Sequence, residues 1–289
     1  PTHAPFASLR VTRDESKDFV RSSDPVTIIG AGRMGRGLMA ALEQAGVGAR
    51  LLGRGYQTDQ VRSAGLILIA TPDDAIGEVA AALARDLAVA EHQVVLHLSG
   101  LLDRLALQVL AFTGAGLGSF HPLQSIADPA TAPDLLRGAY AGLEGDERAL
   151  AAGERLARAL GMRPVRLAPG AKPAYHAGAV VASNYAVVLA AVAEQLARRA
   201  GVPAADAASL YLPLMRGTVA NLELGPAAAL TGPIRRGDAA TVRRHLAALS
   251  PQERVLYREL GRVALRLARE AGLGEASAEV VERALTQGD

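Results

Sequence analysis

The stretch Pro25-Val26-Thr27-Ile28-Ile29-Gly30-Ala31-Gly32-Arg33-Met34-Gly35 decides the fold. Pro25 to Gly30 is a short β-branched apolar run that stops at a glycine, as a buried strand does. Met34 to Ala45 then has the Ala and Leu content and spacing of a helix, which Gly46 ends. Between the two stands the spacing G-x-G-x-x-G. In that context the first glycine permits a tight turn, the second lets backbone approach a pyrophosphate, and the third lets helix and strand pack closely. The free N–H groups of the helix start complete a phosphate site. Gly30, Ala31, Gly32, Arg33, Met34 and Gly35 are therefore the expected dinucleotide-binding residues.

Further strands fit Ala49 to Gly53, Leu66 to Ala70, Gln93 to Leu98, Gly116 to Phe120, Ala139 to Leu143 and Pro164 to Leu167. Helices fit Ile76 to Leu87 and Glu147 to Leu160. Strands alternating with helices predict an α/β fold, a Rossmann-type doubly wound and mostly parallel sheet. Strand signals vanish after Ala168-Pro169-Gly170, and residues 171–200, 204–222, 239–249 and 251–271 read as helices. The expected organisation is a flexible leader (1–24), a dinucleotide-binding domain (25–168) and an all-helical C-terminal domain (169–289) serving substrate binding and dimerisation. The leader mixes acids and bases without an apolar segment, so it does not read as a secretory signal.

Half of the 289 residues are hydrophobic but only 3% are aromatic, so the cores must be built from Ala, Leu and Val, which suits closely packed helices. A net charge of +2 without a basic run argues against nucleic acid as a partner. The lack of cysteine excludes disulfides and cysteine-ligated metals and fits a reducing cytoplasm; no metal is expected. Ala174 to Ala193 is uncharged and long enough to cross a bilayer. Its Tyr175, His176, Ser183, Asn184 and Tyr185, and its richness in Ala, predict a helix buried in protein instead, with no membrane partner.

The end of the second strand bears on cofactor choice. NAD enzymes usually place a carboxylate there for the ribose 2′-hydroxyl. Leu52-Gly53-Arg54-Gly55 has none, and Arg54 can pair with a 2′-phosphate, so NADP is expected, with NAD as the alternative. Ligands of open parallel sheets sit beyond the carboxyl ends of the strands, which puts Thr71, Pro72, Asp73, Ser99 and His121 near one crevice. His121 can exchange a proton with substrate, or be a histidine satisfied by backbone. Only two of the 31 basic residues are lysine, and one, Lys172, opens the long uncharged helix. Where arginine is the rule, a lysine at that place suggests a group that must lose its proton. His176 lies four residues on, on the same helix face, with Asn184 about two turns further. Arg235, in the turn-rich Leu230 to Asp238, is a candidate for a substrate carboxylate, whereas Asp238 reads as an N-cap.

Three segments carry a family resemblance: GSFHPLQS (Gly118 to Ser125), YHAGAVVASNY (Tyr175 to Tyr185) and LTGPIRRGD (Leu230 to Asp238). With the glycine turn they resemble the 6-phosphogluconate dehydrogenase-like oxidoreductases, and within them an uncharacterised branch with a Rossmann-like domain followed by a C-terminal domain of unknown function. Ser99 and His121-Pro122 are similar to a serine and a catalytic His-Pro of prephenate dehydrogenases, although Leu123-Gln124-Ser125 replaces the small glycine-bearing segment that follows there. Lys172 and His176 are similar to the catalytic Lys and the Asn four residues later of β-hydroxyacid dehydrogenases, with His in place of Asn. Pyrroline-5-carboxylate reductases share the general plan.

The resemblance implies an NADP-dependent oxidoreductase acting on a small carboxylate-bearing hydroxy, keto or imino compound. Lys172, His121, Ser99 and His176 would be its catalytic residues, and Asn184 and Arg235 its substrate contacts. A cytoplasmic homodimer is expected, since a helical domain this rich in Ala and Leu has apolar surface to cover. The rival reading is a non-catalytic NADP(H)-binding sensor or assembly protein.

Overall fold

The computed structural model describes residues 25–286; the leader expected at 1–24 lies outside them. Seven strands form one sheet: β1 (Val26–Ile29), β2 (Ala49–Leu52), β3 (Leu66–Ile69), β4 (Val94–His97), β5 (Gly116–Pro122), β6 (Tyr140–Gly145) and β7 (Arg163–Arg166), in the order β2-β1-β3-β4-β5-β6-β7. All neighbours are parallel except β5 and β6. The fold class read from the sequence is thus the observed one. Because β1 lies between β2 and β3, the chain reverses its direction of winding beside Gly30, the place where such sheets take a dinucleotide.

Helices α1 (Arg33–Gln44), α2 (Asp73–Arg85), α3 (Ala132–Leu136) and α4 (Glu147–Ala159) cover the sheet, with a 3-10 helix at Arg104–Thr113. Side chains alternate between faces along each strand. Val26, Ile28, Leu66, Leu68, Val94 and Leu96 pack with Leu38 and Leu42 of α1 and Leu156 of α4. Ile29, Ile67, Ile69 and Val95 pack on the other face with Ile76, Ala80 and Leu83 of α2 and with Leu107 and Leu110. Burial of both faces explains why these strands read as continuous apolar runs.

The remaining helices are α5 (Lys172–Ala182), α6 (Asn184–Arg199), α7 (Ala204–Leu210), α8 (Leu212–Asn221), α9 (Pro226–Ala229), α10 (Ala239–Ala248), α11 (Pro251–Glu270) and α12 (Glu275–Thr286). The described chain divides into two compact units, the first ending at Ala186 and the second beginning at Val187, so that α5 belongs with the sheet. In the second unit Val242 and Leu246 of α10, Leu265 and Ala268 of α11, and Val281 and Leu285 of α12 make a separate core.

Several elements differ from the sequence reading. β5 continues through His121 and Pro122 because antiparallel β6 pairs with it that far, His121 opposite Gly142 and Pro122 opposite Ala141. The helix expected at 204–222 breaks at Tyr211, before Pro213, whose ring and missing N–H oppose continuation. The 3-10 helix at Arg104–Thr113 and the last helix α12 were not expected.

The helix expected to lie buried in protein is not covered by the described residues. Lys172–Arg199 is long and apolar enough to cross a membrane by length and composition, and none of its apolar window is buried. Lys172 is enclosed, but Val181, Tyr185, Val187 and Val188 are exposed. A helix apolar all round needs cover on every side, and here its first turn alone supplies a fully buried side chain to the sheet unit.

Candidate functional site

Gly30 has φ +119°, a conformation that side chains rarely adopt, and a β-carbon there would stand 2.6 Å from the carbonyl oxygen of Ala70. Gly35 leaves no room either, since a β-carbon would collide with the carbonyl of Gly30. A β-carbon on Gly32 would meet nothing within 4 Å, so its outer side is open. The α1 start carries no side-chain cap and no acid in its first turn. Its first N–H groups are thus left for an anion, as in dinucleotide sites. The Thr71 hydroxyl, at the end of neighbouring β3, is buried without a hydrogen-bond partner. An orphaned donor beside an uncapped helix start fits a bound polar ligand. Arg33 and Arg54 are exposed near the same edge, Arg54 two residues past β2.

Ile29, Ile69, His97 and Ser119 stand in one row across β1, β3, β4 and β5. Two residues beyond that row come Thr71, Ser99 and His121, so the glycine turn and His121 share one edge, three strand spacings or about 14 Å apart. There His121 Nδ1 lies 3.0 Å from the Tyr175 hydroxyl, and the two rings meet edge to face at 87°. His121 and His176 also meet edge to face, with ring centroids 5.9 Å apart. Nδ1 of His176 is buried and has no hydrogen-bond partner. A cleft of about 490 Å³ opens here, lined among others by His121, Gln124, Ser125, Tyr175, His176 and Asn184.

Glycines make this convergence possible. A β-carbon on Gly100 would lie 2.5 Å from His176 Nδ1 and 2.9 Å from His121 Nε2. One on Gly142 would lie 2.7 Å from the Tyr175 hydroxyl oxygen. Side chains at either position would displace the rings.

Beneath the cleft lies a network that holds the strand ends. The Lys172 ammonium, 1% exposed, donates to the Ser99 carbonyl at 2.6 Å and to the Ser119 hydroxyl at 2.7 Å. The Ser99 hydroxyl donates to Asp73 at 2.6 Å and accepts from the N–H groups of Leu101 and Leu102. All its hydrogen-bonding capacity is therefore used. Buried His97 accepts the Ser99 N–H at Nδ1 and meets the Asp103 carbonyl through Nε2, an arrangement that requires the neutral ring with its hydrogen on Nε2. Burial holds His97 at a pKa of about 4, with the Lys172 charge acting the same way. Burial also lowers His121 to about 4, with Lys172 and His176 adding to it and Asp73 opposing. Lys172 itself is lowered to about 8 by burial, against the pull of Glu144, Asp73 and Asp103. Burial raises the Tyr175 phenol, which therefore keeps its proton.

The structure thus brings His121, His176 and Asn184 together in one cleft and puts Lys172 and Ser99 below it. Arg235 belongs to the second unit, where it donates to the Ala271 carbonyl beyond α11. Asp238 is an N-cap, accepting from Thr241 N–H and hydroxyl. Sequence reasoning did not single out His97, Glu144 or Tyr175 as site residues. The only signal was the place of Tyr175 beside His176; His97 reads as a strand residue, and its strand alternation marks burial without its bonds.

Residues 139–264 match a family model described as a domain of unknown function, DUF2520. No curated protein sequence matches the chain. Among solved structures, a protein of Thermotoga maritima is similar at 24% identity and a TM-score of 0.65, over 85% of this chain and 98% of that one. A pyrroline carboxylate reductase of Plasmodium falciparum with NADP bound is similar at 11% identity and 0.56, over 91% and 99%. An imine reductase of Myxococcus stipitatus in complex with NADP+ is similar at 18% identity and 0.55, over 86% and 93%. At these identities the likeness establishes the fold.

The buried imidazoles predict a pH dependence of stability. His97 and His121 titrate near 4 in the fold and near the ordinary 6.5 in the unfolded chain. Between these values the unfolded chain binds more protons, so the unfolding free energy falls as the pH falls, and the contribution of the two rings levels off below about 4. Denaturant titrations from pH 7 to 4 should show a slope approaching two protons, and His97→Gln should remove about one. A flat profile would refute the burial of neutral imidazoles.

Proposed function

We propose that the chain is an oxidoreductase that uses NADP(H) and exchanges a hydride with a small carboxylate-bearing hydroxy, keto or imino compound. One observation carries the reading: an uncapped glycine-rich helix start and a cleft holding two imidazoles, one with an orphaned nitrogen, lie along one edge of the same sheet. Relatives of this fold were solved with NADP bound or in complex with NADP+, and the resemblance to the 6-phosphogluconate dehydrogenase-like enzymes agrees with them. A bound nicotinamide would supply or accept the hydride.

In this reading Gly30, Ala31, Gly32, Arg33, Met34 and Gly35 hold the pyrophosphate on backbone N–H groups, with Thr71 and Pro72 beside them. Arg54 pairs with the 2′-phosphate that distinguishes NADP from NAD. His121 and His176 face the reacting group, and Asn184, Gln124 and Ser125 orient the rest of the substrate by uncharged hydrogen bonds. Since the residues lining the cleft include no cation, these amides and hydroxyls would receive the carboxylate. Arg235 would have to leave the Ala271 carbonyl to take part. Lys172 and Ser99 act on the site from below: their polar atoms are already bonded to the strand ends. The exposed apolar length of α5 and α6 is proposed to be covered by a second copy of the chain, as an apolar helix whose lysine is anchored in the sheet unit has no need of a bilayer.

Two measurements test the proposal. Fluorescence titration should show NADPH binding more tightly than NADH, and Arg54→Asp should erase or reverse the preference; equal affinities in the unmodified protein would defeat the role of Arg54. Light scattering at micromolar concentration should give twice the mass of the chain. A monomer at high micromolar concentration would refute the dimer.

A further inference from the structure

The two ring nitrogens of His121 have different surroundings, and the difference gives the reaction a direction. Nδ1 faces the Tyr175 hydroxyl at 3.0 Å. Burial keeps the Tyr175 phenol protonated, so it has a hydrogen to give the imidazole. Phenol is also the better donor of the two and neutral imidazole nitrogen the better acceptor. Nδ1 is therefore the accepting nitrogen, and the ring hydrogen of a neutral His121 stands on Nε2. That nitrogen and the unpartnered Nδ1 of His176 lie 2.9 and 2.5 Å from one point above Gly100, hence no more than 5.4 Å apart. A substrate oxygen or nitrogen that accepts from Nε2 therefore stands beside His176.

We infer that Tyr175 is a positioning residue that fixes His121 with its hydrogen on Nε2, so that the cleft offers a proton to a carbonyl oxygen or imine nitrogen and serves reduction rather than oxidation. The inference rests on the reading of the cleft as the substrate site. With a reduced nicotinamide bound to supply hydride to the carbon, the carbon–oxygen or carbon–nitrogen π pair would take the Nε2 hydrogen. Nδ1 takes the hydrogen of Tyr175 in the same movement; water then protonates Nε2 as the Nδ1 hydrogen returns to the phenolate, which restores the starting tautomer. One hydride and one proton are consumed, giving an alcohol or amine. The reverse reaction starts from the state that reduction leaves, with Nε2 bare and the Tyr175 oxygen ionised, which burial of the phenol makes scarce at neutral pH. The groups facing His121 keep its ring neutral: Lys172 and His176 oppose its protonation, and only Asp73 favours it.

The test begins on cofactor-free protein with 15N-labelled histidine. Long-range 15N–1H correlation should show His121 protonated at Nε2 and bare at Nδ1, and Tyr175→Phe, which keeps the ring against Gly142, should give a mixture of tautomers. A hydrogen on Nδ1 in the unmodified protein would overturn the inference. The second arm measures NADPH oxidation with a cyclic imine and a 2-oxo acid, and NADP+ reduction with the corresponding amine and alcohol. Tyr175→Phe should lower kcat for reduction at least about 10-fold, a part of what proton donors typically contribute, while KM and NADPH affinity change less than about threefold. Oxidation as fast as reduction at neutral pH would overturn the assigned direction. Expected tautomers with no reduction of either probe would overturn the proposed reductase reading and the direction together, leaving the role of Tyr175 on the ring intact.

Discussion

The site depends on where one ammonium group is put. Lys172 is enclosed at the start of α5, and an enclosed charge must be hydrogen-bonded or it destabilises the fold by several kcal/mol. The acceptors it finds are the Ser99 carbonyl at the end of β4 and the Ser119 hydroxyl of β5. Those two bonds fix the first turn of α5 against the edge of the sheet where the strands end. Three and four residues on, the next positions of the same helix face bring Tyr175 and His176 over His121. The lysine sets the geometry without lining the cleft.

The electrical character of the cleft follows from the same arrangement. An ammonium close to buried His97 and partly buried His121 makes further positive charge costly, and both rings stay neutral well below neutral pH. Neutral imidazoles need defined partners to have defined tautomers. His97 finds them in the backbone of its own turn, whereas His121 finds one in Tyr175 and leaves its other nitrogen to the cleft. Ser99 holds the turn in place by linking Asp73 to two backbone N–H groups. The polar groups divide into those already satisfied, which give the edge its rigidity, and those left without a partner, His176 Nδ1 and Thr71 Oγ1 among them, which the proposed site would use.

Much of this was legible in the sequence where the signal is local. β1, β3 and β4 are buried on both faces and so appear as largely apolar runs, and Gly30 to Gly35 carries its geometry in its spacing. The antiparallel direction of β6 was not legible, because a strand reads alike in both directions. The pairing of Tyr175 with His121 joins residues 54 apart in sequence and exists only once α5 is seated. Lysine scarcity did single out Lys172, but composition cannot tell an enclosed anchor from a proton carrier. The helix from Lys172 to Arg199 meets a similar limit: apolar sequence demands cover, and a single chain does not say whose.

The glycine turn and the His121 cleft are proposed to form one functional site. A crystal structure of the full chain with NADPH tests it most directly. The account predicts a pyrophosphate against the backbone N–H groups at the start of α1 and a nicotinamide whose C4 faces the gap between His121 Nε2 and His176 Nδ1. A nicotinamide ring directed away from that gap, or no cofactor at the glycine turn at saturating NADPH, would contradict it.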